Sequence, residues 1–217
     1  MSGRDESATR ILIADDHPII VVALSEMLKS ALRERAVQVD SVTDGDSLLR
    51  SLEAEHWDYL VLDLHMPGRL KSVPLLQAAL AAQPGLQVVI YTGADYPCLA
   101  QTTLDHGARA YVSKSSGPQV AIEAVHAVMA GRTYVDAAID LDAAKDHPWY
   151  QLTSGERAVL TALARGENLQ AIAIDSNRSY KTVTTHKYNA LRKLGLKSKD
   201  EIGHYFAHIG LGYLLDE

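Results

Sequence analysis

Across residues 9–130, short apolar runs alternate with stretches whose apolar residues recur at helical spacing. Ile11 to Ala14 is a strand-like run that ends at two acids. Ile20, Ala23, Leu24, Met27, Leu28, Ala31 and Leu32 then predict a helix. Val37 to Val42 reads as a second strand and Asp46 to Ala54 as a weak helix. Tyr59 to Leu62 is a buried-type strand ending at Asp63, and the helix over Val73 to Ala82 stops at Pro84-Gly85. Val88 to Tyr91 ends at Thr92-Gly93, and Leu99 to Asp105 is a short helix closed by Gly107. Ala110 to Val112 is a fifth strand, followed by Ser113-Lys114. Pro118 opens the last helix, where its missing N–H does no harm, and that helix runs to about Ala130. Strands this apolar, each followed by a helix, call for a parallel sheet covered on both faces. The expected fold is a doubly wound (βα)5 domain with right-handed crossovers.

The pattern then changes. Residues 131–150 read as a linker of mixed polarity, with His147-Pro148 near its end. From Leu152 onward only helices are expected. Thr153-Ser154-Gly155-Glu156 is a capping box before Val159, Leu160 and Leu163, and Gly166 ends that helix. Leu169, Ile172 and Ala173 suggest a short second helix. Ser179 can cap a third, over Thr182 to Leu194, with Gly195 as its stop. Ile202 to Ile209 makes a fourth. Residues 151–217 are therefore read as a small all-α, helix-turn-helix domain.

Composition narrows the class. The chain has 217 residues, 47% hydrophobic and 22% charged, as in ordinary globular proteins. No apolar run is long enough to span a bilayer, and the polar N-terminus, residues 1–10, has no signal-peptide pattern, so a cytoplasmic protein is expected. A single cysteine, Cys98, excludes an internal disulfide and any multi-cysteine metal site, and it is read as a small helix residue. Net charge is −6 but uneven: residues 1–150 carry 12 basic and 20 acidic residues, and residues 151–217 carry 9 and 7. Ser176 to Lys199 holds seven basic residues and no acid. That stripe suits a polyanion; as a bare charge run it also fits a solvated helix face.

Candidate chemistry gathers at the strand ends. Asp15, Asp16, Asp63, Thr92 and Lys114 each follow an apolar strand, and in an open parallel sheet such ends line one crevice. Adjacent acids beside a third acid make a partial oxygen cage of the kind Mg²⁺ prefers. Asp63 is then both nucleophile and ligand, since aspartyl phosphate is a known covalent intermediate. Metal and Lys114 would offset phosphoryl charge, and Thr92 would donate to a phosphoryl oxygen.

Ala14-Asp15-Asp16-His17-Pro18, Leu62 to Gly68, Thr92-Gly93, Gly107-Ala108 and Ser113-Lys114 resemble the motifs of a response-regulator receiver domain over residues 9–130. The resemblance implies a flavodoxin-like fold and phosphoryl transfer from a sensor histidine kinase to Asp63. It implies Mg²⁺ on Asp15, Asp16 and Asp63, with a backbone oxygen from the Leu64 or His65 region. It also implies a switch pair, Thr92 and Tyr111, although Tyr111 alone also reads as a strand-edge aromatic. Many receivers carry a second glycine where Arg69-Leu70-Lys71-Ser72 stands here. Arg69 and Lys71 either tune the phosphoryl chemistry or are solvent-facing loop residues. His17 is read as shaping its loop.

On a helix over Tyr180 to Leu194, Val183, Ala190, Leu191 and Leu194 share one face. Lys181, Thr185, Tyr188 and Arg192 share the opposite face, flanked by Thr184. Cations, hydroxyls and a phenol there suit phosphates and major-groove base edges. Leu152-Thr153, Glu156, Val159-Leu160, Gly166, Ile172-Ala173, Ser179, Thr182-Val183, His186 and Lys193-Leu194-Gly195 resemble the LuxR/FixJ helix-turn-helix. With the receiver, this implies a NarL/FixJ-type regulator, nearest in look to the capsule-synthesis branch. By family position Thr184, Thr185 and Tyr188 would meet bases, and Lys181, Lys187 and Arg192 phosphates. Lys187 departs from the usual aliphatic residue; its stem can cover the core while the ammonium emerges. Ser176 replaces the leucine that usually packs the turn, leaving the turn looser or packed by Tyr180.

The expectation is a phosphorylation-dependent transcription regulator that binds double-stranded DNA as a homodimer, with no membrane partner and no enzymatic turnover. The alternative is a DNA-binding regulator whose receiver is a phosphorylation-independent interaction module. An aspartyl-nucleophile phosphatase is disfavoured, because such enzymes commonly place a second aspartate where His65 stands.

Overall fold

The computed structural model describes residues 8–215. The first seven residues, part of the segment read as lacking a signal peptide, and the last two lie outside the described residues. The elements in chain order are β1 (Thr9–Ala14), α1 (Pro18–Ala31), β2 (Val37–Val42), α2 (Gly45–Ala54), β3 (Tyr59–Leu62), α3 (Ser72–Ala82), β4 (Gln87–Thr92), α4 (Pro97–Asp105), β5 (Ala110–Ser113) and α5 (Pro118–Met129). There follow β6 (Tyr134–Val135), α6 (Leu141–Asp146), α7 (Ser154–Ala164), α8 (Leu169–Asp175), α9 (Tyr180–Leu194) and α10 (Ile202–His208).

All strands are parallel, in the order β2-β1-β3-β4-β5-β6. The chain winds one way from β1 to β2 and the other from β3 onward, so the order reverses between β1 and β3, the point where such sheets bind ligands. Ile11, Ile13, Val61, Val89 and Val112 lie buried against Leu24 and Leu28 of α1 and Ala121 and Val125 of α5. The alternate residues Leu12, Leu60, Leu62, Val88 and Ile90 are as fully enclosed, which is why these strands read as continuous apolar runs.

The five expected strand–helix repeats are present. A sixth strand, β6, and the helix α6 lie in the stretch read as linker. β6 pairs Tyr134 with Ala110 and Val135 with Tyr111. It is held by backbone bonds, which leave no mark on side-chain periodicity.

The chain divides into two compact units: Met1–Asp95 with Thr102–Ile139, and Tyr96–Gln101 with Asp140–Glu217. In the second, Thr153 and Glu156 complete the capping box of α7. Gly195, at φ +70°, closes α9 in the left-handed conformation that glycine adopts without a Cβ penalty. Between α8 and α9 the tight turn uses Asn177 at φ +51°, one of the residues that tolerates this region. Tyr180 is 57% exposed and does not pack the turn. Instead the Ser176 hydroxyl donates back to the Ile172 carbonyl.

Candidate functional site

The strand ladders carry the acidic residues into place. The Asp63 N–H donates to the Ala14 carbonyl at 2.9 Å, and the Asp15 N–H to that of Val42 at 3.1 Å. The continued pairing sets Asp63 beside the acidic pair at the end of β1. Asp15 and Asp63 are 1% and 2% exposed. Lys114, just past β5, reaches both, with its ammonium 2.8 Å from Asp15 Oδ2 and 2.6 Å from Asp63 Oδ2. Burial alone lowers the pKa of this lysine, but hydrogen bonds and charge from the two carboxylates outweigh it and hold the ammonium above its ordinary pKa. The other Asp63 oxygen accepts the His65 N–H at 3.0 Å.

Asp15, Asp16, His17 and Asp63 each bring a ligand atom within 4.8 Å of the others. The carboxylate oxygens in this set suit a hard cation such as Mg²⁺. Asp16 Oδ1 is enclosed and 2.8 Å from His17 Nδ1, without the alignment of a hydrogen bond. An enclosed carboxylate oxygen with no donor fits a cation site. His17 also donates its N–H to Asp15 Oδ1 at 2.9 Å, which shapes the loop.

Thr92, at the end of β4, is wholly buried, and its hydroxyl lies 3.3 Å from His65 Nδ1. Tyr111 is also wholly buried, donating to the Ala94 carbonyl at 2.6 Å. Flanked by β4 and β6, it is not a strand-edge aromatic. Burial raises its phenol far above the usual value. The Arg69–Lys71 loop is pinned from both ends: the Gly45 N–H bonds the Pro67 carbonyl at 2.8 Å, and the Ser72 N–H bonds that of Leu64 at 3.1 Å. Ser72 pays for this geometry with φ +53°. Burial pushes the Cys98 thiol up to about 11, so it stays protonated near neutrality.

In the second unit, α9 buries Val183, Ala190 and Leu191 and leaves Lys181, Thr185, Tyr188 and Arg192 exposed. Tyr188 is 64% exposed, and the Lys187 ammonium lies 5.2 Å from the centre of its ring. The Thr185 hydroxyl donates to the Lys181 carbonyl at 2.9 Å. Thr184 Oγ1 is enclosed without a hydrogen bond, so a contact through its hydroxyl requires rotation about its side-chain bond. Sequence reasoning missed the role of Lys193. Its ammonium is 2.7 Å from Glu156 Oε2, and this acid is 3% exposed. The pair joins the start of α7 to the end of α9 across 37 positions. Only the capping-box half of it, Thr153 and Glu156, is local enough to read from sequence.

Comparison with known proteins agrees with both halves. Residues 11–126 match the response regulator receiver domain family, and residues 150–206 match the bacterial regulatory proteins of the luxR family. The chain is 31% identical over 196 residues to the transcriptional regulatory protein UhpA of Salmonella typhimurium, covering 89% of this chain and 95% of that one. Among solved structures it resembles RcsB from Salmonella enterica serovar Typhimurium bound to promoter rprA in the presence of the phosphomimetic BeF3⁻. That match has a TM-score of 0.66 at 25% identity, over 96% of this chain and 98% of the other. A structure of two RcsB dimers bound to two parallel DNAs matches with a TM-score of 0.64 at 25% identity, over 94% and 100% of the two chains.

Proposed function

Because the chain belongs to the NarL/FixJ family of DNA-binding response regulators, with a receiver and a LuxR-type helix-turn-helix, we propose that it takes a phosphoryl group onto Asp63 from a sensor histidine kinase and answers with a change in DNA binding. The observation that carries this reading is the convergence of the buried Asp15 and Asp63 carboxylates on one ammonium, that of Lys114. An Asp63 oxygen forms the bond to phosphorus as the phosphorus–nitrogen bond of a kinase phosphohistidine breaks and the leaving imidazole takes up a proton. Lys114 then exchanges its pairing with carboxylate for pairing with phosphoryl oxygens. Asp15, Asp16 and Asp63 are the residues to hold Mg²⁺, which supplies further neutralisation of phosphoryl charge. The Thr92 hydroxyl turns from His65 toward the new oxygens, and Tyr111 follows as the second member of the switch.

The output is a homodimer that sets two α9 helices in neighbouring major grooves. RcsB dimers on DNA support this reading. Thr185 and Tyr188 face bases, and Thr184 joins them once its side chain rotates; Lys181, Lys187 and Arg192 face phosphates. Work on DNA places the protein in the cytoplasm. The test is labelling by acetyl phosphate with Mg²⁺. The native chain is labelled on Asp63 and Asp63→Asn is not; label retained by that variant removes Asp63 from the role.

A further inference from the structure

One buried carboxylate in the first unit has no part in the chemistry above. Asp136, just after β6, is 4% exposed and spends every polar group on its neighbours. Its Oδ2 accepts the Ser113 N–H at 3.1 Å and its Oδ1 the Ala138 N–H at 2.9 Å. Its own N–H donates to the Tyr111 carbonyl at 2.9 Å, and its carbonyl accepts the Ile139 N–H at 2.9 Å. Ser113 directly precedes Lys114, and the Ser113 hydroxyl accepts the Ser115 N–H at 3.0 Å. The lysine is therefore fixed on both sides. The far end of the same grip is Ala138 and Ile139, the last residues before the chain enters the second unit.

A turn at residues 136–138 needs one acceptor, as in any Asx turn. The second carboxylate oxygen is superfluous to that turn and reaches β5 instead. At 3.1 and 2.9 Å these are ordinary hydrogen bonds, and the two oxygens of one carboxylate hold the Ser113 and Ala138 N–H groups to a common point. We propose that Asp136 is a positioning residue for Lys114, and that its carboxylate couples phosphoryl uptake on Asp63 to the segment 137–139 leading into the second unit. The inference rests on the reading of Asp63 as phosphoacceptor. When Lys114 follows the incoming phosphoryl oxygens, Ser113 moves with it. Asp136 transmits that movement to Ala138, and the coupling runs equally in reverse.

Amide hydrogen exchange on the full chain, with and without beryllofluoride and Mg²⁺, tests this. In the native chain, exchange at Ser113, Ala138 and Ile139 should change together by at least about fivefold, the lower end of ordinary coupling between sites. Asp63→Asn should show no change. Asp136→Asn keeps the volume but has one acceptor oxygen. It should still be labelled on Asp63 by acetyl phosphate, at an altered rate, while residues 137–139 no longer respond. A native response surviving in Asp136→Asn overturns the proposal. So does a native chain in which Ser113 responds and residues 138–139 do not, a comparison that decides the matter even if the variant fails to fold. A native chain that acetyl phosphate never labels overturns the phosphoacceptor reading and this inference with it. A labelled chain with residues 137–139 silent overturns the inference alone.

Discussion

At the scale of single residues, Lys114 carries the most electrostatic weight, since one ammonium neutralises two buried carboxylates. Lys114→Met should slow phosphoryl uptake by about 10²–10³-fold, the usual loss for a group placed on developing charge. Single-turnover labelling with acetyl phosphate measures it, and a rate near the native one contradicts the role. Ser72 is a different case. Its φ of +53° is a conformation that costs a residue with a Cβ about 1–2 kcal/mol. Ser72→Gly should therefore stabilise the first unit by about 0.5–1 kcal/mol, after allowing for the greater unfolded-state freedom of glycine. A shift in the urea midpoint at unchanged slope checks it. The absence of a glycine between Gly68 and Ser72 was legible in the sequence, but the strain at Ser72 was not, because it arises from loop closure between Leu64 and α3.

At the scale of elements, β1, β3, β4 and β5 were legible because each holds an unbroken apolar run that stops at a polar residue. β6 was not, since two residues make no period and its bonds to β5 are all main-chain. The buried face of α9 was legible at 100° per residue, whereas the Glu156–Lys193 pair was not, because it depends on how α7 and α9 cross. This pair makes two predictions. Although desolvation works to raise the Glu156 pKa, the Lys193 ammonium and the Thr153 N–H outweigh it and hold the acid below its ordinary value. The folded form thus favours the carboxylate. The stabilisation is present above the unfolded-state value of about 4.3 and is lost as pH falls through the lower folded value. Glu156→Gln should cost about 1–3 kcal/mol near neutrality and flatten that acid dependence. Thermal melts of both chains at neutral and acid pH report it. On the DNA side, Lys181→Ala should reduce the slope of log affinity against log salt by about 0.9, the value of one phosphate contact. Lys193→Ala should leave the slope nearly unchanged, because its ammonium is already committed to Glu156. Equal slope changes in the two variants would contradict this division of the basic stripe.

At the scale of the whole molecule, the sequence holds two kinds of charge logic in one chain. An acid-rich first part gathers three carboxylates at one crevice, two of them on the Lys114 ammonium, and a basic, acid-free stripe lines α9. Both were readable, because the strand ends and one helix face put chemistry at fixed spacing. What joins them was not, because the joining stretch folds through main-chain pairing and a single buried acid, Asp136. Phosphoryl uptake at Asp63 is proposed to change how the chain binds DNA. The direct measurement is affinity, at one fixed salt concentration, for a duplex selected from a random library, with and without acetyl phosphate and Mg²⁺. The native chain should bind at least about fivefold more tightly with the phosphodonor, as ordinary coupling allows, and Asp63→Asn should show no difference. Equal native affinity in both conditions, or a gain that persists in Asp63→Asn, would contradict it.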